Sequence, residues 1–329
     1  MALDVKVSIN LTQPAGKAGS WYPLIYVPKV EGEEDKYAEY TRLADIAEDY
    51  EVTTDAYKVA NLIFMQDNAP DKIAICRGDE TVMTGLASYM KKNWRQLIVL
   101  AEFDETVATA IEATDKMYFT HFANQTALST ASAKIKDYDR TVAVVYSNTD
   151  VTYPEAAVVG ATAGMNAGSF TYKNIILKSV AACDLNAAEI EAIHALGGIT
   201  IVEKAGDTVT SEGISVGGEY IDVIDSKDYI IQNISYKVQK VFNNNAKVPY
   251  TNAGIAMLEA ATLEALVDGH NNGMIADNDD GTPAYTVSFA LRSGTTESDR
   301  AARNYPYGQF AFELAGAVHT AEIVGEIQI

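Results

Sequence analysis

The residue type best suited to catalysis or metal binding is histidine, and the sequence has four: His121, His194, His270 and His319. A histidine can act as a general base, a proton shuttle or a metal ligand when a carboxylate or a second ligand stands at a suitable spacing. Here the four are scattered, with no HExxH pattern and no close carboxylate pattern. We therefore predict that each is a surface or packing residue.

An acidic turn at residues 277–281, with the sequence DNDDG, suggests a calcium loop at first sight. In a helix-loop-helix calcium site a glycine stands at position six and a bidentate glutamate at position twelve. Counting from Asp277, the glycine is Gly281 at position five, and Ser288 occupies position twelve. The sequence therefore predicts a solvated turn and no metal site.

A cluster of glycines, Gly160, Gly164 and Gly168, is the nearest approach to a nucleotide-binding loop. Neither GxGxxG nor GxxxxGK[ST] is present. A spacing of four instead places the glycines on one face of a helix, where they permit close helix packing. We predict packing here and no cofactor.

Nucleophilic catalysis has no local signature either, because neither GxSxG nor a catalytic-cysteine context occurs. The two cysteines, Cys76 and Cys183, lie in or beside apolar stretches and are predicted to be reduced packing residues. The sequence thus assigns no catalytic, cofactor-binding or metal-binding residue. An α/β enzyme or small-molecule-binding protein without local motifs remains the alternative, since such proteins exist.

Composition sets limits on partners and location. The chain has 329 residues and a formal net charge of −20, so two domains are expected and DNA or RNA is a poor partner. No run approaches the ~20 apolar residues of a membrane span, and Met1 to Asp4 shows no start of a secretion signal. We expect no membrane insertion, and a protein made and kept in the cytosol until released by other means.

From Trp21 to about Gly206 strand and helix patterns alternate, and several strands are nearly continuous apolar runs, as in parallel strands covered on both faces. This alternation predicts an open α/β sheet. The predicted strands cover residues 24–27, 72–76, 96–101, 116–122, 141–146 and 199–202. The predicted helices cover residues 36–48, 55–65, 81–92, 105–113 and 127–136, followed by a helix capped by Asn186, with Glu189 three positions on.

After Gly206 the composition changes. Residues 208–218 are rich in Gly, Ser and Thr and predict a boundary loop or hairpin, and residues 219–229 are acidic with interleaved Ile and Val. A helix is predicted at about 253–267, and a strand at 285–291.

At both ends of the chain apolar and polar residues alternate, which predicts half-buried strands. Near the N-terminus Leu3, Val5, Val7, Ile9 and Leu11 share one face, and a Gly/Pro/small linker at 13–20 replaces a hairpin turn. Near the C-terminus the alternating residues are Ile323, Ile327 and Ile329. Unpaired strand edges favour association with other strands, so we predict that the strands at both ends pair with a partner.

An ordered set of short motifs then resembles the tail sheath proteins of contractile-tailed phages and related particles. It covers roughly half of the chain, and residues 21–140 show no specific match. The motifs lie at 153–157 (YPEAA), 170–180 as a strand and turn, 186–202 as a helix then a strand, 218–224 (GEYIDVI), 228–230, 248–255 (VPYTNAGI) and 314–329.

The resemblance implies an α/β (α+β overall) fold: an outer α/β sandwich domain, a C-terminal α+β assembly domain and extended strand arms at both ends. The expected boundaries are 1–20 for the first arm, 21–206, 207–319 for the assembly core and 320–329 for the second arm. It further implies a structural subunit without enzyme activity or cofactor, polymerised as hexameric rings in a virion or tail-like particle. The implied partners are other copies, a tail tube protein, and baseplate and terminator proteins.

Two other interpretations stay open. A tube or shell protein would be in the same structural class. Tube proteins are usually smaller and dominated by β structure, so the helices predicted between 36 and 200 favour a sheath protein over a tube protein. The terminal strands could also fold back within their own subunit.

Overall fold

The computed structural model describes residues 19–319. The strands of its main sheet are β1 Tyr22–Pro28, β2 Lys36–Tyr40, β3 Ile73–Gly78, β4 Trp94–Val99, β5 Met117–Phe122, β6 Thr141–Val145, β7 Gly198–Lys204 and β8 Asp207–Thr210. They lie in the order β2-β3-β1-β4-β5-β6-β7-β8. The inner six are parallel, and β2 and β8 close the two edges in antiparallel pairing.

Helices cover both faces of this sheet. They are α1 Leu43–Ile46, α2 Asp55–Phe64, α3 Val82–Leu86, α4 Glu105–Glu112, α5 Gln125–Ile135, α6 Glu155–Thr162 and α7 Ala187–His194. Successive residues of one strand enter different cores: Ile98 packs with α2 and α6, whereas Leu97 packs with α4 and α5. Because both faces are buried, these strands are continuous apolar runs.

A second unit follows the sheet and has its own apolar core. Its elements are α8 Ile221–Asn244, α9 Asn252–Asn271, β9 Tyr285–Phe289, α10 Glu297–Ala302 and β10 Gly308–Phe312. The long helix α8 connects the two units, because Ile221 and Ile224 belong to a core of the main sheet while Ile230 and Ile234 belong to the new one. The division expected at residue 207 stays a prediction.

The α/β fold class is confirmed, and each predicted strand of the main sheet coincides with an observed one to within a few residues. The helix predicted at 36–48 is wrong in its first part, because residues 36–40 form β2. That segment pairs with β3, and the pairing overrides local helix preference. The helix predicted at 81–92 is also too long, since only Val82–Leu86 is helical.

In two further segments the structure differs from the secondary structure predicted from the sequence. The acidic stretch at 219–229 contains the first turns of α8, where apolar residues three apart, Ile221 and Ile224, face the core. Residues 170–180, expected as a strand and turn, contribute only an isolated bridge between Ile176 and Val209. Both cysteines are buried and unpaired, as predicted, and burial raises the pKa of the Cys76 thiol to about 12.

The predicted cap of α7 is present. The Asn186 side chain accepts from the Glu189 backbone N–H at 3.1 Å, and the Asn186 backbone N–H donates to Glu189 Oε2 at 2.8 Å. We expect Asn186→Ala to lower the free energy of unfolding by about 1 kcal/mol, because helix N–H groups lose an acceptor. Denaturant titration measures this. Glu191→Ala on the exposed side of the same helix is the control, and equal effects of the two variants would contradict the capping role.

Candidate functional site

The C-terminal unit carries a small sheet of two antiparallel strands, β9 and β10, in which Val287 pairs with Phe310. Residues 290–307, which include α10, connect the strands. Over the described range 19–319, neither strand pairs with a third along its outer edge. The sheet therefore presents two strand edges at the surface of the unit.

One face of this small sheet is apolar and the other polar. Thr286 and Ser288 are exposed on the polar face. The Phe310 and Phe312 rings stack in parallel with their centroids 6.3 Å apart. The side chains packed against α8 and α9 are half-buried: Tyr285, Val287, Phe289, Phe310 and Phe312. A strand added to either edge would continue this division if it had one apolar and one polar face.

The residues predicted to make arm contacts lie outside the described range. They are Leu3, Val5, Val7, Ile9 and Leu11 near the N-terminus, and Ile323, Ile327 and Ile329 near the C-terminus. Their role stays a prediction. The strand predicted at 285–291 is confirmed as β9. Its pairing with residues 308–312 was not predicted, although their alternation is a recognisable signal for a second half-buried strand.

A buried ion network joins the C-terminal unit to the main sheet. Arg95 of β4 has a side chain 1% exposed, and its Nη2 donates to Asp225 Oδ1 at 2.5 Å. Arg95 Nη1 donates to Asp228 Oδ2 at 2.5 Å. Both carboxylates project from α8, three positions apart and hence on one helix face. The strand is thereby fixed to the helix that connects the units.

Two more side chains complete the network. Arg140 donates to both oxygens of Asp228, at 2.6 and 3.0 Å, and the Tyr172 hydroxyl donates to Asp225 Oδ2 at 2.8 Å. Burial acts to raise the pKa of Asp228, but the charges and hydrogen bonds of Arg95 and Arg140 outweigh it and lower the pKa. The Tyr172 pKa is raised by its complete burial and by Asp225. The network therefore keeps the Asp228 carboxylate ionised in the interior.

The described chain also attaches its N-terminal end at this junction. The Trp21 indole N–H donates to Gln232 Oε1 of α8 at 2.8 Å. The Arg95 guanidinium lies 4.8 Å from the centre of the Trp21 ring, a cation-π distance. Trp21 therefore lies where the two units meet.

A groove of about 780 Å³ lies beyond the carboxyl ends of β4 and β5, where open α/β sheets commonly bind ligands. Its lining includes Glu105 and Lys134, which pair at 2.7 Å, and His121. His121 Nδ1 lies 3.1 Å from Glu155 Oε1, and Glu155 is 1% exposed. Burial acts to lower the pKa of His121, but the hydrogen bond and charge of Glu155 raise it overall. This pair can hold a proton, and it attaches α6 to β5.

The other predicted packing histidines also have polar partners. His194 Nε2 lies 2.9 Å from Ser211 Oγ, and His270 Nε2 lies 2.7 Å from Asp277 Oδ1 in the acidic turn. His319 Nε2 lies 2.9 Å from Thr171 Oγ1. In residues 19–319 no group of three His, Cys, Asp or Glu side chains is arranged to hold a metal ion. Every helix in that range is too short or too polar to cross a lipid bilayer.

The glycine cluster packs closely, as predicted, but it does not form one helix face, because α6 ends at Thr162 and Gly164 and Gly168 follow it. A Cβ on Gly160 of α6 would lie 2.6 Å from the Ile63 carbonyl oxygen of α2, and one on Gly164 would lie 2.3 Å from the Asn68 carbonyl oxygen. The glycines therefore let α6 and the chain from α2 touch at backbone distance.

Comparison with known proteins gives a family and a fold. Residues 221–327 match the family described as "E217 tail sheath protein gp31-like, C-terminal domain". A search of curated proteins found no match. A chain of the anti-feeding prophage baseplate, solved by cryo-electron microscopy, is 15% identical with a TM-score of 0.71, over 100% of this chain and 97% of that one.

Two more solved structures share the fold. A chain of the PVC sheath complex, an extracellular contractile injection system in its contracted state, is 11% identical with a TM-score of 0.70, over 100% of this chain and 97% of the other. A sheath tail protein from Desulfitobacterium hafniense is 13% identical with a TM-score of 0.55, over 95% of this chain and 99% of the other.

The likeness extends over residues 21–140, where the sequence motifs show no match. At these identities the solved structures establish the fold, and the family model adds a match over the C-terminal unit alone. The resemblance found in the sequence motifs is confirmed: the C-terminal unit matches a tail sheath domain family, and the whole chain has the fold of contractile sheath proteins.

Proposed function

We propose that this chain polymerises as stacked hexameric rings around a tail tube, and that contraction of the lattice drives the tube through a bacterial envelope. The observation that carries the proposal is the two-stranded sheet of β9 and β10, whose outer edges pair with no third strand of residues 19–319. A two-stranded sheet needs further support to be stable in water. Here α8 and α9 cover one face, and additional strands would stabilise the sheet further.

The added strands would come from the chain ends of neighbouring copies. Leu3, Val5, Val7, Ile9 and Leu11 give the N-terminal segment one apolar face, which would continue the apolar face that β9 and β10 turn toward α9. Each backbone hydrogen bond of such a strand contributes about 1 kcal/mol net. Four or five bonds together with apolar burial would join subunits through a small contact.

The C-terminal segment, with Ile323, Ile327 and Ile329, would supply a strand to another neighbour in the same way. The linker at the N-terminal end would let subunits move while staying joined. Residues 12–20 can extend about 30 Å at about 3.3 Å per residue, and Trp21 is bonded to the body through Gln232. Rigid bodies can then rotate and slide during contraction without breaking the strand contacts.

The energy for contraction would come from the lattice. We propose that the extended sheath is metastable and repacks, once a baseplate triggers it, into a wider and shorter lattice with larger contacts between subunits. The subunit itself would consume no nucleotide and carry no cofactor. Extended particles should therefore contract equally with and without ATP, and a requirement for ATP would contradict this mechanism.

The proposed partners follow from assembly. They are other copies of the chain, a tail tube protein, and baseplate and terminator proteins, with no nucleic acid and no membrane insertion. The net charge of −20 raises self-repulsion, so assembly must rest on specific contacts and should depend on salt. We place the protein in a virion or tail-like particle assembled in the host cytoplasm, with residues 21–206 as the outer domain and 207–319 as the assembly core.

We expect the purified full chain to form tubes or stacked rings in negative-stain electron microscopy, and a variant lacking residues 1–12 to lose them, because the strand donor is gone. A synthetic peptide of residues 1–12, added in excess, should also inhibit polymerisation of the full chain by occupying the acceptor edge. The matched control is the same peptide with Val7→Pro, which removes a strand N–H donor. Equal polymers from the full and truncated chains would refute assembly through this arm.

A further inference from the structure

The last described residue, His319, lies in a polar cluster on the main body. Its Nδ1 lies 3.1 Å from Glu212 Oε1 and its Nε2 lies 2.9 Å from Thr171 Oγ1. The edge of its ring meets Tyr220 with the centroids 4.8 Å apart. The His319 side chain is 13% exposed and that of Glu212 14%. Three separate segments of the body therefore hold this one imidazole.

The chain reaches this cluster directly from the small sheet. After β10, Leu314 forms a bridge with Ile275, and the Ala315 backbone N–H donates to the Met274 carbonyl oxygen at 2.9 Å. Residues up to 315 thus belong to the C-terminal unit, whereas His319 contacts the chain that follows α6 and β8. The segment 315–319 spans the two units and leads straight into residue 320.

Two carboxylates of the body, Glu212 and Asp222, face the His319 ring. Lys173 Nζ pairs with Glu212 Oε2 at 2.6 Å on the side away from His319. Burial acts to raise the pKa of Glu212, but Lys173 and His319 lower it, so Glu212 stays ionised at neutral pH. Asp222 also faces the cluster, and its Oδ1 is buried without a hydrogen-bond partner in the described chain. Burial raises the pKa of Asp222, and the His319 charge opposes that rise.

Two further charged groups lie beyond Glu212. The pKa of His194 is lowered by burial, and the pKa of Lys204 is lowered by burial and by Lys173. His194 is bonded to Ser211 and Lys204 to Asn174. Each has its own hydrogen-bond partner. In the described chain Lys173 and His319 are the basic side chains bonded to Glu212, and of the two His319 is the one in the C-terminal segment.

We propose that His319 and Glu212 form a proton-dependent clasp that holds the root of the C-terminal arm on the body of the subunit. In the imidazolium form both ring nitrogens donate, one to the Glu212 carboxylate and one to Thr171. Loss of the proton removes the charge attraction to Glu212 and leaves Nε2 to accept from the Thr171 hydroxyl. The hydrogen bond to Glu212 is then weaker, so the segment is released more readily. The clasp rests on the proposed function only in treating residues 320–329 as an arm.

The clasp can be tested by placing a nitroxide label beside it. Val318 is 87% exposed while Cys76 and Cys183 are buried, so Val318→Cys can be labelled selectively in the full chain. We expect the label to be immobilised at about pH 5.5 and its mobile fraction to rise roughly tenfold by about pH 8, as the charged hydrogen bond is lost. In His319→Gln, which can bond but cannot be protonated, mobility should be independent of pH.

Two other variants separate the clasp from its surroundings. Glu212→Gln should raise label mobility at about pH 5.5, and His194→Gln should leave the pH response unchanged, because His194 bonds to Ser211. A pH response that persists in His319→Gln, or equal label mobility in the parent chain and His319→Ala at both pH values, would overturn the clasp. The label reports on the subunit whether or not it polymerises, so this result is independent of the electron microscopy that tests assembly.

Discussion

Replacing Arg95 with methionine is expected to lower the free energy of unfolding by about 3–5 kcal/mol, the largest stability effect of any single substitution considered for this chain. Methionine keeps most of the volume, so the loss comes from charge. Asp225 and Asp228 would remain in the interior, with side chains 7% and 10% exposed. Asp228 would keep Arg140, but Asp225 would lose its guanidinium partner and keep the Tyr172 hydroxyl. Breaking a buried ion pair from one side has effects of this size because a buried charge is left without its partner.

Chemical denaturation, followed by fluorescence and circular dichroism, measures the effect. Arg42→Met is the matched control: Arg42 pairs with Asp45 at 2.5 Å, but its side chain is 73% exposed, so we expect a change within about 0.5 kcal/mol. Similar shifts for the two variants would show that the network adds nothing beyond a surface pair. Because the network joins β4 to α8, Arg95→Met should also separate the unfolding of the two units.

The pH dependence of stability has a defined sign. The folded-state pKa of Asp228 is lowered below its ordinary value, so this group stabilises the fold above the unfolded-state pKa, about 4. That contribution is lost as pH falls through the folded-state pKa. Arg95→Met should therefore lose less stability on acidification than the parent chain, because much of the Asp228 shift is already absent.

The main sheet could be predicted because its strands carry their own signal. Strands buried on both faces are apolar runs bounded by turns, and residues 141–146 and 199–202 show this directly. Residues 36–40 could not be read in the same way, since Lys36 and Glu39 are charged and only pairing with β3 makes them a strand. An edge strand with charged residues resists association and looks locally like a helix or loop.

The junction could not be predicted because its members are far apart in the chain. Arg95 stands 130 residues before Asp225 and 133 before Asp228, and it lies within an otherwise apolar strand. A sequence shows that a buried arginine needs a carboxylate partner, but it does not show which of 45 acidic residues that is. The only local hint is the i,i+3 spacing of the two aspartates on α8.

The contact between α6 and α2 supports the second large prediction: Gly160→Ala is expected to lower the free energy of unfolding by about 2–3 kcal/mol. All eight residues of α6 are buried. The new methyl carbon would lie 2.6 Å from the Ile63 carbonyl oxygen and 2.7 Å from Ile63 Cα. Both are backbone atoms of a buried helix, so α2 must move as a whole, and overpacking of this kind costs about 1–3 kcal/mol or more.

Helix propensity alone favours alanine over glycine by about 1 kcal/mol and would make Gly160→Ala stabilising, whereas the clash with Ile63 would make it destabilising. The sign of the change in unfolding free energy therefore shows which effect is larger. Gly269→Ala in α9 is the matched control, since its new methyl carbon would meet side-chain carbons of Ile230 and Ile275 at 3.2 to 3.3 Å, and side chains can adjust. We expect that variant to stay within about 1 kcal/mol of the parent chain. A stabilised Gly160→Ala would mean that the helices separate without cost and that close backbone contact is not what holds α6 against α2.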